Sequence, residues 1–325
     1  MKRVARFVIM VVVLMAAYLL LIEVPVQVKF APRTPLLTTP ADLGMAYRDF
    51  ELTPQDAAIS LKGWWMPAAQ PSATLLFLHG ASSNRDSRFF EGLEFYQAMV
   101  ARGVSVAAID LRNHGASDAD GGGIQFGQTE QYDARALVDW AHEQALQPPI
   151  VLMGISMGGA TAIRAIAEGV QVDGLILLDS LLHTRDAMQR AIWTQSGLPP
   201  ALLAPSAWSA VRFFGFPDGP VQPLTLAKTL QVPMLVLQDP QDPVTRAQYA
   251  NALAAENPNV TLWLTPPVPA DHARLVSKGR WGTHVAAFAL YPDDTVAQIM
   301  HFIARLPRQQ SVVVSATARA EPRML

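Results

Sequence analysis

The sequence predicts an α/β fold: a parallel sheet covered by helices on both faces. Continuous apolar runs of five or six residues alternate with stretches of helical period, and strands that are apolar throughout are typical of sheets buried on both sides. One of these runs, residues 149–153, stops at Gly154 and continues as Ile-Ser-Met-Gly-Gly-Ala-Thr-Ala. A buried strand, a sharp turn and a helix are expected there.

The same patterns place the other elements along the chain. Residues 47–52 and 59–64 alternate in polarity, which indicates antiparallel edge strands with one wet face. Buried strands are predicted over 73–78, 104–110, 174–179, 232–238 and 260–264, and helices over 87–102, 129–146, 246–256 and 294–305. The core domain therefore covers residues 45–306.

Composition excludes several classes of function. The 325 residues carry a formal net charge of −2 without a basic stripe, which argues against a nucleic-acid partner. The chain has no cysteine, so disulfides, thiolate nucleophiles and cysteine-ligated metals are excluded.

The N-terminus is unlike the rest of the chain. Lys2, Arg3 and Arg6 precede an uninterrupted apolar run over residues 7–22. Sixteen helical residues span about 24 Å, and flanking residues can extend this toward a hydrocarbon core of about 30 Å. We expect residues 1–24 to form an uncleaved single-pass signal anchor; a cleaved signal peptide is the alternative. The basic end should stay in the cytoplasm, so the large domain would be extracytoplasmic, periplasmic if the source is bacterial.

Two further segments flank or interrupt the core domain. Residues 25–44 contain four prolines and are interpreted as a linker, and residues 307–325 as a disordered tail. About fifty residues separate the strands at 174–179 and 232–238, and they are rich in Trp, Phe and Pro. We interpret residues 181–229 as a small helical cap over the carboxyl ends of the strands, where ligands bind in sheets of this kind.

The candidate chemistry is centred on Ser156. It lies in a G-x-S-x-G pattern in which Gly154 and Gly158 give steric room for a tight turn at the start of a helix. A serine hydroxyl needs a base and an acid that orients the base. Asp242 is favoured as the acid, with Asp239 as the alternative. His284 and His272 both follow the last predicted strand. His284, which lies shortly before the final helix, is favoured as the base. Backbone N–H groups of Ala81 and Met157 are the candidate oxyanion donors.

These motifs carry a family resemblance. The segments Leu-His-Gly-Ala, Asp-Leu-Arg-Asn-His-Gly-Ala-Ser, Gly-Ile-Ser-Met-Gly-Gly, the turn at Asp242 and Gly-Thr-His284 occur in the order typical of α/β-hydrolases. Over residues 45–306 the chain most resembles membrane-anchored serine hydrolases related to the dienelactone-hydrolase and prolyl-oligopeptidase-like branches. The resemblance implies an eight-stranded, mostly parallel sheet and a catalytic triad at Ser156, Asp242 and His284.

The expected activity is hydrolysis of an ester through an acyl-enzyme, without metal or organic cofactor. The aromatic cap favours a hydrophobic small-molecule or lipid-like substrate, and the N-terminal helix would hold the enzyme at a membrane. An acyltransferase or a peptidase on the same fold remains an alternative, as does a catalytically silent binding module.

Overall fold

The computed structural model describes residues 1–217, 221–269 and 271–307, and it confirms the predicted α/β fold. Eight strands form one sheet in the order β1-β2-β4-β3-β5-β6-β7-β8. Two pairings, β1 with β2 and β2 with β4, are antiparallel, and every other pairing is parallel. The strands are β1 (Arg48–Leu52), β2 (Leu61–Met66), β3 (Ala73–Leu78), β4 (Val104–Ile109), β5 (Ile150–Ile155), β6 (Gly174–Leu178), β7 (Met234–Gln238) and β8 (Val260–Leu264).

Helices cover both faces of this sheet, and each face has its own apolar core. The β3–β7 strands are buried along their whole length, which explains why their sequences are apolar without alternation. The helices of the core domain are α3 (Gly92–Val100), α4 (Gln131–Glu143), α5 (Met157–Ala167), α9 (Ala247–Glu256), α10 (Ala273–Val276), α11 (Ala287–Leu290) and α12 (Pro292–Arg305). The helix predicted over 87–102 is shorter than expected. Ser87 and Glu91, both with positive φ, flank a separate 3₁₀ turn, and α3 begins only after Glu91.

The segment between β6 and β7 is helical, as predicted for the cap. It contains α6 (Thr184–Ser196), α7 (Ala204–Phe214) and α8 (Pro223–Ala227). Buried side chains of α6 and α7 join the core on the face that also holds α5. Buried side chains of the cap are therefore part of the apolar core of the domain.

The N-terminal helix is longer than its apolar run. Within the described residues it is the one helix long and apolar enough to cross a membrane, extending over Lys2–Lys29 with a mean hydropathy of 2.8 in its most apolar window. It comprises α1 (Lys2–Tyr18), a π-helical turn (Leu19–Glu23) and α2 (Val24–Lys29). Pro25 does not end the helix, because the wide π turn before it relieves the clash that a proline ring causes in a regular helix.

The predicted linker does not stand apart from the domain. Residues 25–29 continue the helix, and the chain that follows runs along the protein surface. Thr34 donates a hydrogen bond to the carbonyl of Ser82 at 2.7 Å, and Asn84 donates to the carbonyl of Thr34 at 3.0 Å. Side-chain bonds to neighbouring loops therefore fix a proline-rich segment that lacks a core of its own. Residues 308–325 of the predicted tail lie outside the part of the chain that the structure describes.

Candidate active site

Ser156 lies at a sharp turn between β5 and α5. Its backbone has φ +48° and ψ −116°, a strained combination that aims the side chain away from the sheet. A Cβ on Gly154 would lie 2.3 Å from the carbonyl oxygen of Gly158, and a Cβ on Gly158 would lie 2.2 Å from the carbonyl oxygen of Leu78. Both positions therefore require glycine, as the G-x-S-x-G spacing predicts.

Three side chains form a continuous hydrogen-bonded chain at the carboxyl edge of the sheet. His284 Nε2 lies 3.1 Å from Ser156 Oγ, and His284 Nδ1 lies 2.8 Å from Asp242 Oδ2. These distances fit a neutral imidazole that donates from Nδ1 to the carboxylate and accepts the serine proton at Nε2. The serine is half-buried, whereas the His284 and Asp242 side chains are 5% and 0% exposed. The arrangement can deliver a nucleophile to a pocket while its base and acid stay shielded from water.

The carboxylate of Asp242 is held in place by its own turn. Its Oδ1 accepts N–H bonds from Val244 at 2.6 Å and Thr245 at 3.0 Å, and the Thr245 hydroxyl donates to Oδ2 at 2.5 Å. Sequence reasoning did not single out Thr245. A threonine three residues after an aspartate in a turn is the signal that could have indicated it, because such side chains often cap one another.

The alternative acid and base lie elsewhere. Asp239 accepts bonds from the Gln241 amide and the Thr265 hydroxyl, and no described histidine contacts its carboxylate. His272 is exposed and caps α10 by accepting the Arg274 amide at 3.3 Å. The structure therefore brings Asp242 and His284 to Ser156 and leaves Asp239 and His272 apart from it.

The amides of Ala81 and Met157 flank the serine. Both residues line the pocket, and neither amide donates to a backbone carbonyl elsewhere in the described chain. Met157 is the first residue of α5, where backbone N–H groups lack helical acceptors. Gly80 lets the turn after β3, which carries Ala81, approach Ser156 closely, because a Cβ built on Gly80 would lie 3.3 Å from Ser156 Cβ. Two free donors beside a hydroxyl suit an oxyanion.

Asp179, at the end of β6, is a functional-site residue that the sequence did not reveal. One carboxylate oxygen accepts the Asp239 amide at 2.8 Å, and the other accepts the Val285 amide at 2.9 Å. Burial and the nearby charge of Asp242 raise the pKa of Asp179 well above its usual range. The side chain ties the acid-bearing loop to the histidine-bearing loop. Its position at the carboxyl end of a strand beside β5, followed by Ser180, was the available signal.

Asp179, Asp242 and His284 lie close enough together to resemble a metal-binding cluster, with ligand atoms within 4.8 Å of one another. Their atoms already have other partners. Both oxygens of Asp179 accept backbone amides, and both nitrogens of His284 face Asp242 and Ser156. N–H groups directed at the carboxylates favour a hydrogen-bonded network over cation binding.

Two further histidines are buried behind the turn that carries Gly80. His79 Nδ1 donates to the Gly80 carbonyl at 2.7 Å, and its Nε2 accepts the Leu111 amide at 3.0 Å. Burial is the main cause that lowers the pKa of His79 to about 4 and that of His114, whose ring packs edge-on against it, to about 3. Both rings are therefore neutral at pH 7, and His79 fixes the turn on which Ala81 lies.

The pocket above Ser156 has a volume of about 390 Å³ and an apolar lining. One wall is the sheet edge with Ser156, His284 and Trp281, whose ring stacks 5.7 Å from the imidazole. A second wall comes from α6 and from the N-terminal segment, with Met188, Ala191, Ile192, Gln27, Val28 and Ala31. Residues 25–44 were predicted to be a linker with no core of its own, and several of them line the pocket.

Comparison with known proteins identifies a family. The model of the "Alpha/beta hydrolase family" matches residues 75–318. Among solved structures, the Pyrococcus furiosus esterase Pf2001 superposes with a TM-score of 0.68 at 23% identity, covering 85% of this chain and 97% of the esterase. At that identity the likeness concerns the fold alone.

Two relatives match over parts of their length. "AB hydrolase superfamily protein YisY" of Bacillus subtilis (strain 168) is 38% identical over 110 residues, which are 33% of this chain and 37% of that protein. "Lysophosphatidylserine lipase ABHD12" of Macaca fascicularis is 26% identical over 202 residues, 58% of this chain and 47% of that protein. The chain thus spans less than half the length of both relatives.

Proposed function

Because this chain belongs to the alpha/beta hydrolase family, we propose that it is a serine hydrolase that cleaves carboxylic esters. The observation that carries the proposal is the chain of bonds from Ser156 Oγ through His284 to Asp242. A strained nucleophile turn, a shielded base and two free N–H donors beside the hydroxyl support the same reaction class.

The reaction follows from these positions. Ser156 Oγ attacks the ester carbonyl carbon while its proton passes to His284 Nε2, and Asp242 stabilises the resulting imidazolium. The amides of Ala81 and Met157 donate to the oxyanion. The bond to the alcohol then breaks, and Nε2 returns its proton to the leaving oxygen. Water repeats the sequence on the acyl-serine, which releases the acid and restores the serine hydroxyl.

The substrate we propose is an ester with a hydrophobic acyl or alcohol group. The pocket is lined mainly by apolar side chains, and its volume of about 390 Å³ accepts a medium-sized chain. The relative named as a lysophosphatidylserine lipase acts on an ester of this general kind, and that likeness supports the choice without naming this chain's substrate.

We further propose that the N-terminal helix anchors the protein in a membrane by a single pass, with the catalytic domain outside the cytoplasm. Lys2, Arg3 and Arg6 precede the apolar run, and basic residues beside a span tend to remain cytoplasmic. A reporter enzyme fused after residue 307 should be active only on the extracytoplasmic side and should sediment with membranes. A soluble, shortened product would show that the segment is a cleaved signal.

A fluorophosphonate probe tests the nucleophile directly. The probe phosphonylates an activated serine and releases fluoride, so the full chain should be labelled and the Ser156→Ala variant should not. Ser180→Ala is the matched control, because this buried serine follows β6 near the same turn and should leave labelling intact. Absent labelling of the folded wild type, or equal labelling of Ser156→Ala, contradicts the proposal.

A further inference from the structure

The cap carries an exposed apolar face with one charge. Between residues 198 and 213, every exposed side chain is apolar except Arg212. The most exposed of the large ones are Leu202, Trp208 and Phe213, which are 58%, 53% and 64% exposed. Trp208 and Phe213 pack edge-on with ring centroids 5.4 Å apart, so they form one patch. Patches of this kind on a protein surface mark contact with a partner or a membrane.

Two hydrogen bonds fix this face beside the N-terminal helix. Pro25 has no N–H to donate to the carbonyl of Leu21 four residues earlier, and the hydroxyl of Ser209 on α7 donates to that carbonyl instead. Farther along, Lys29 Nζ donates to the carbonyl of Phe214. Apolar contacts reinforce the pairing, because Val24 and Val28 pack against the core cluster that includes α7.

The order of these contacts gives the direction of α7. Ser209 lies at the level of Leu21, near the end of the apolar run, and the carbonyl of Phe214 lies within reach of the Lys29 side chain, beyond that run. The helix therefore points its amino-terminal end back along the run. Ala204 lies five residues before Ser209, about 7.5 Å deeper at 1.5 Å per residue. Trp208 is then level with the last apolar residues of the span, and Arg212 lies on the side of water.

We propose that the exposed apolar side chains of residues 198–213 lie in the interfacial layer of the same lipid bilayer that holds the N-terminal helix. Tryptophan near the headgroups, aliphatic side chains below it and an arginine above it match the depth preferences of interfacial segments. The inference rests on the proposed membrane anchoring and goes beyond it, because it orients the catalytic domain on the membrane.

This orientation has a consequence for substrate entry. Gln27, Val28 and Ala31 follow the span directly and line the pocket that contains Ser156. The pocket wall is thus built on the segment that leaves the bilayer. An ester lipid whose chains lie in that bilayer would reach the serine without crossing water, whereas a water-soluble ester would need to approach from another side.

Fluorescence quenching by brominated lipids tests the docked face. The full chain is reconstituted into vesicles whose acyl chains are either unlabelled or brominated near the headgroup, and wild type is compared with Trp208→Phe. The protein has seven tryptophans, so the difference spectrum between the two proteins isolates Trp208. We expect bromination to remove at least about half of that difference signal, because bromine quenches only indoles within the lipid.

Trp140→Phe supplies the matched control. Trp140 lies in the last turn of α4, before β5 begins, and its ring stacks on Phe50 at 4.1 Å. Phe50 belongs to the edge strand β1, which is four strands away from β5, about 19 Å at about 4.8 Å per strand. The Trp140 difference signal should be the same in both kinds of vesicle.

The outcomes separate this inference from the proposals it rests on. The measurement needs no turnover, so an inactive protein can still support it. A chain that does not sediment with vesicles overturns both the anchoring and the docked face. A chain that sediments but leaves the Trp208 signal unquenched overturns the docked face alone. Concentration-dependent cross-linking through residue 208 with no bromine quenching assigns the patch to a second copy of the chain and overturns the inference.

Discussion

The two walls of the pocket differ in the polarity of the groups that form them. The wall at the sheet edge is held from behind by carboxylates that accept backbone amides of the adjoining turns, as at Asp179 and Asp242. The wall formed by α6 and the N-terminal segment consists of apolar side chains such as Met188 and Val28. Backbone dipoles that are fixed in place can stabilise the charge that develops on the reacting atoms, because these dipoles need no rearrangement during the reaction. Apolar side chains suit substrate choice, because they can change without disturbing the chemistry.

The sharpest test of this division replaces the two candidate bases that follow β8. His284→Ala removes the base and should lower kcat for a short soluble ester by about 10⁴-fold. His272→Ala should leave the rate within about twofold, because that imidazole is exposed and only caps α10. Steady-state assays on the purified full chain measure both. Equal losses in the two variants would contradict the assignment of the base.

The next test concerns the tightness of the nucleophile turn. Gly154→Ala places a methyl group 2.3 Å from the Gly158 carbonyl oxygen, a contact that only a backbone shift can relieve. We expect destabilisation of about 3 kcal/mol, the upper range for overpacking, together with loss of fluorophosphonate labelling. Thermal unfolding in detergent measures the first effect.

Gly169→Ala is the control for that substitution. Gly169 has a positive φ, but a Cβ added to it would meet no atom within 4 Å, so only local backbone strain is added. This variant should remain labelled by the probe. A Gly154→Ala protein with wild-type stability and labelling would show that the turn tolerates a side chain.

The buried histidines behind the sheet-edge wall should make stability depend on pH. Burial, with the nearby His79, lowers the pKa of His114 to about 3, so between pH 3 and 6.5 the unfolded chain binds a proton that the folded chain does not. Stability is therefore lost as pH falls through that window, by about 1.4 kcal/mol per pH unit for this group.

His114→Phe isolates this contribution. The ring remains to pack against His79, but its titration is gone, so the unfolding temperature of the variant should fall less steeply than that of wild type between pH 6 and pH 4. The carboxylates titrate in both proteins, and their effects cancel in the difference. Parallel curves for the two proteins would contradict a neutral buried His114.

The smallest effect is expected at the apolar wall. Ala191→Phe on α6 fills part of the pocket from a half-exposed position and should lower kcat/KM for a long-chain ester about tenfold while changing that for an acetyl ester little. Ala167→Phe, an exposed position at the end of α5, is the control and should change neither value. Equal losses for both esters in Ala191→Phe would show that this wall affects the chemistry as well.

The N-terminal segment shows where local patterns mislead. Four prolines predicted a linker over residues 25–44, yet Thr34 and its neighbours bond to loops of the core domain, and Gln27, Val28 and Ala31 line the pocket. Prolines restrict the backbone conformation of the segment that contains them. They carry no information about which surface the segment meets, since that depends on contacts with residues far away in sequence.

The sequence by itself determined the features that rest on neighbouring residues. Runs of apolar residues identified the buried strands because the need to cover both faces acts on each strand separately. The turn at Ser156 was likewise visible from its local G-x-S-x-G pattern, although only Gly154 is required by an atom a few residues away, and Gly158 is required by the carbonyl of Leu78 at the end of β3. The family resemblance followed from such local motifs, and it is confirmed.

Only the tertiary structure decided which groups meet. Asp239 and Asp242 belong to one turn and His272 and His284 to one loop region, so position along the chain favoured Asp242 and His284 but left both alternatives open. The distances from His284 to Asp242 and Ser156 arise from three loops that meet at one edge of the sheet. The role of Asp179 as a tie between two of those loops, and the approach of the N-terminal helix to α7, depend in the same way on long-range packing, which no local pattern encodes.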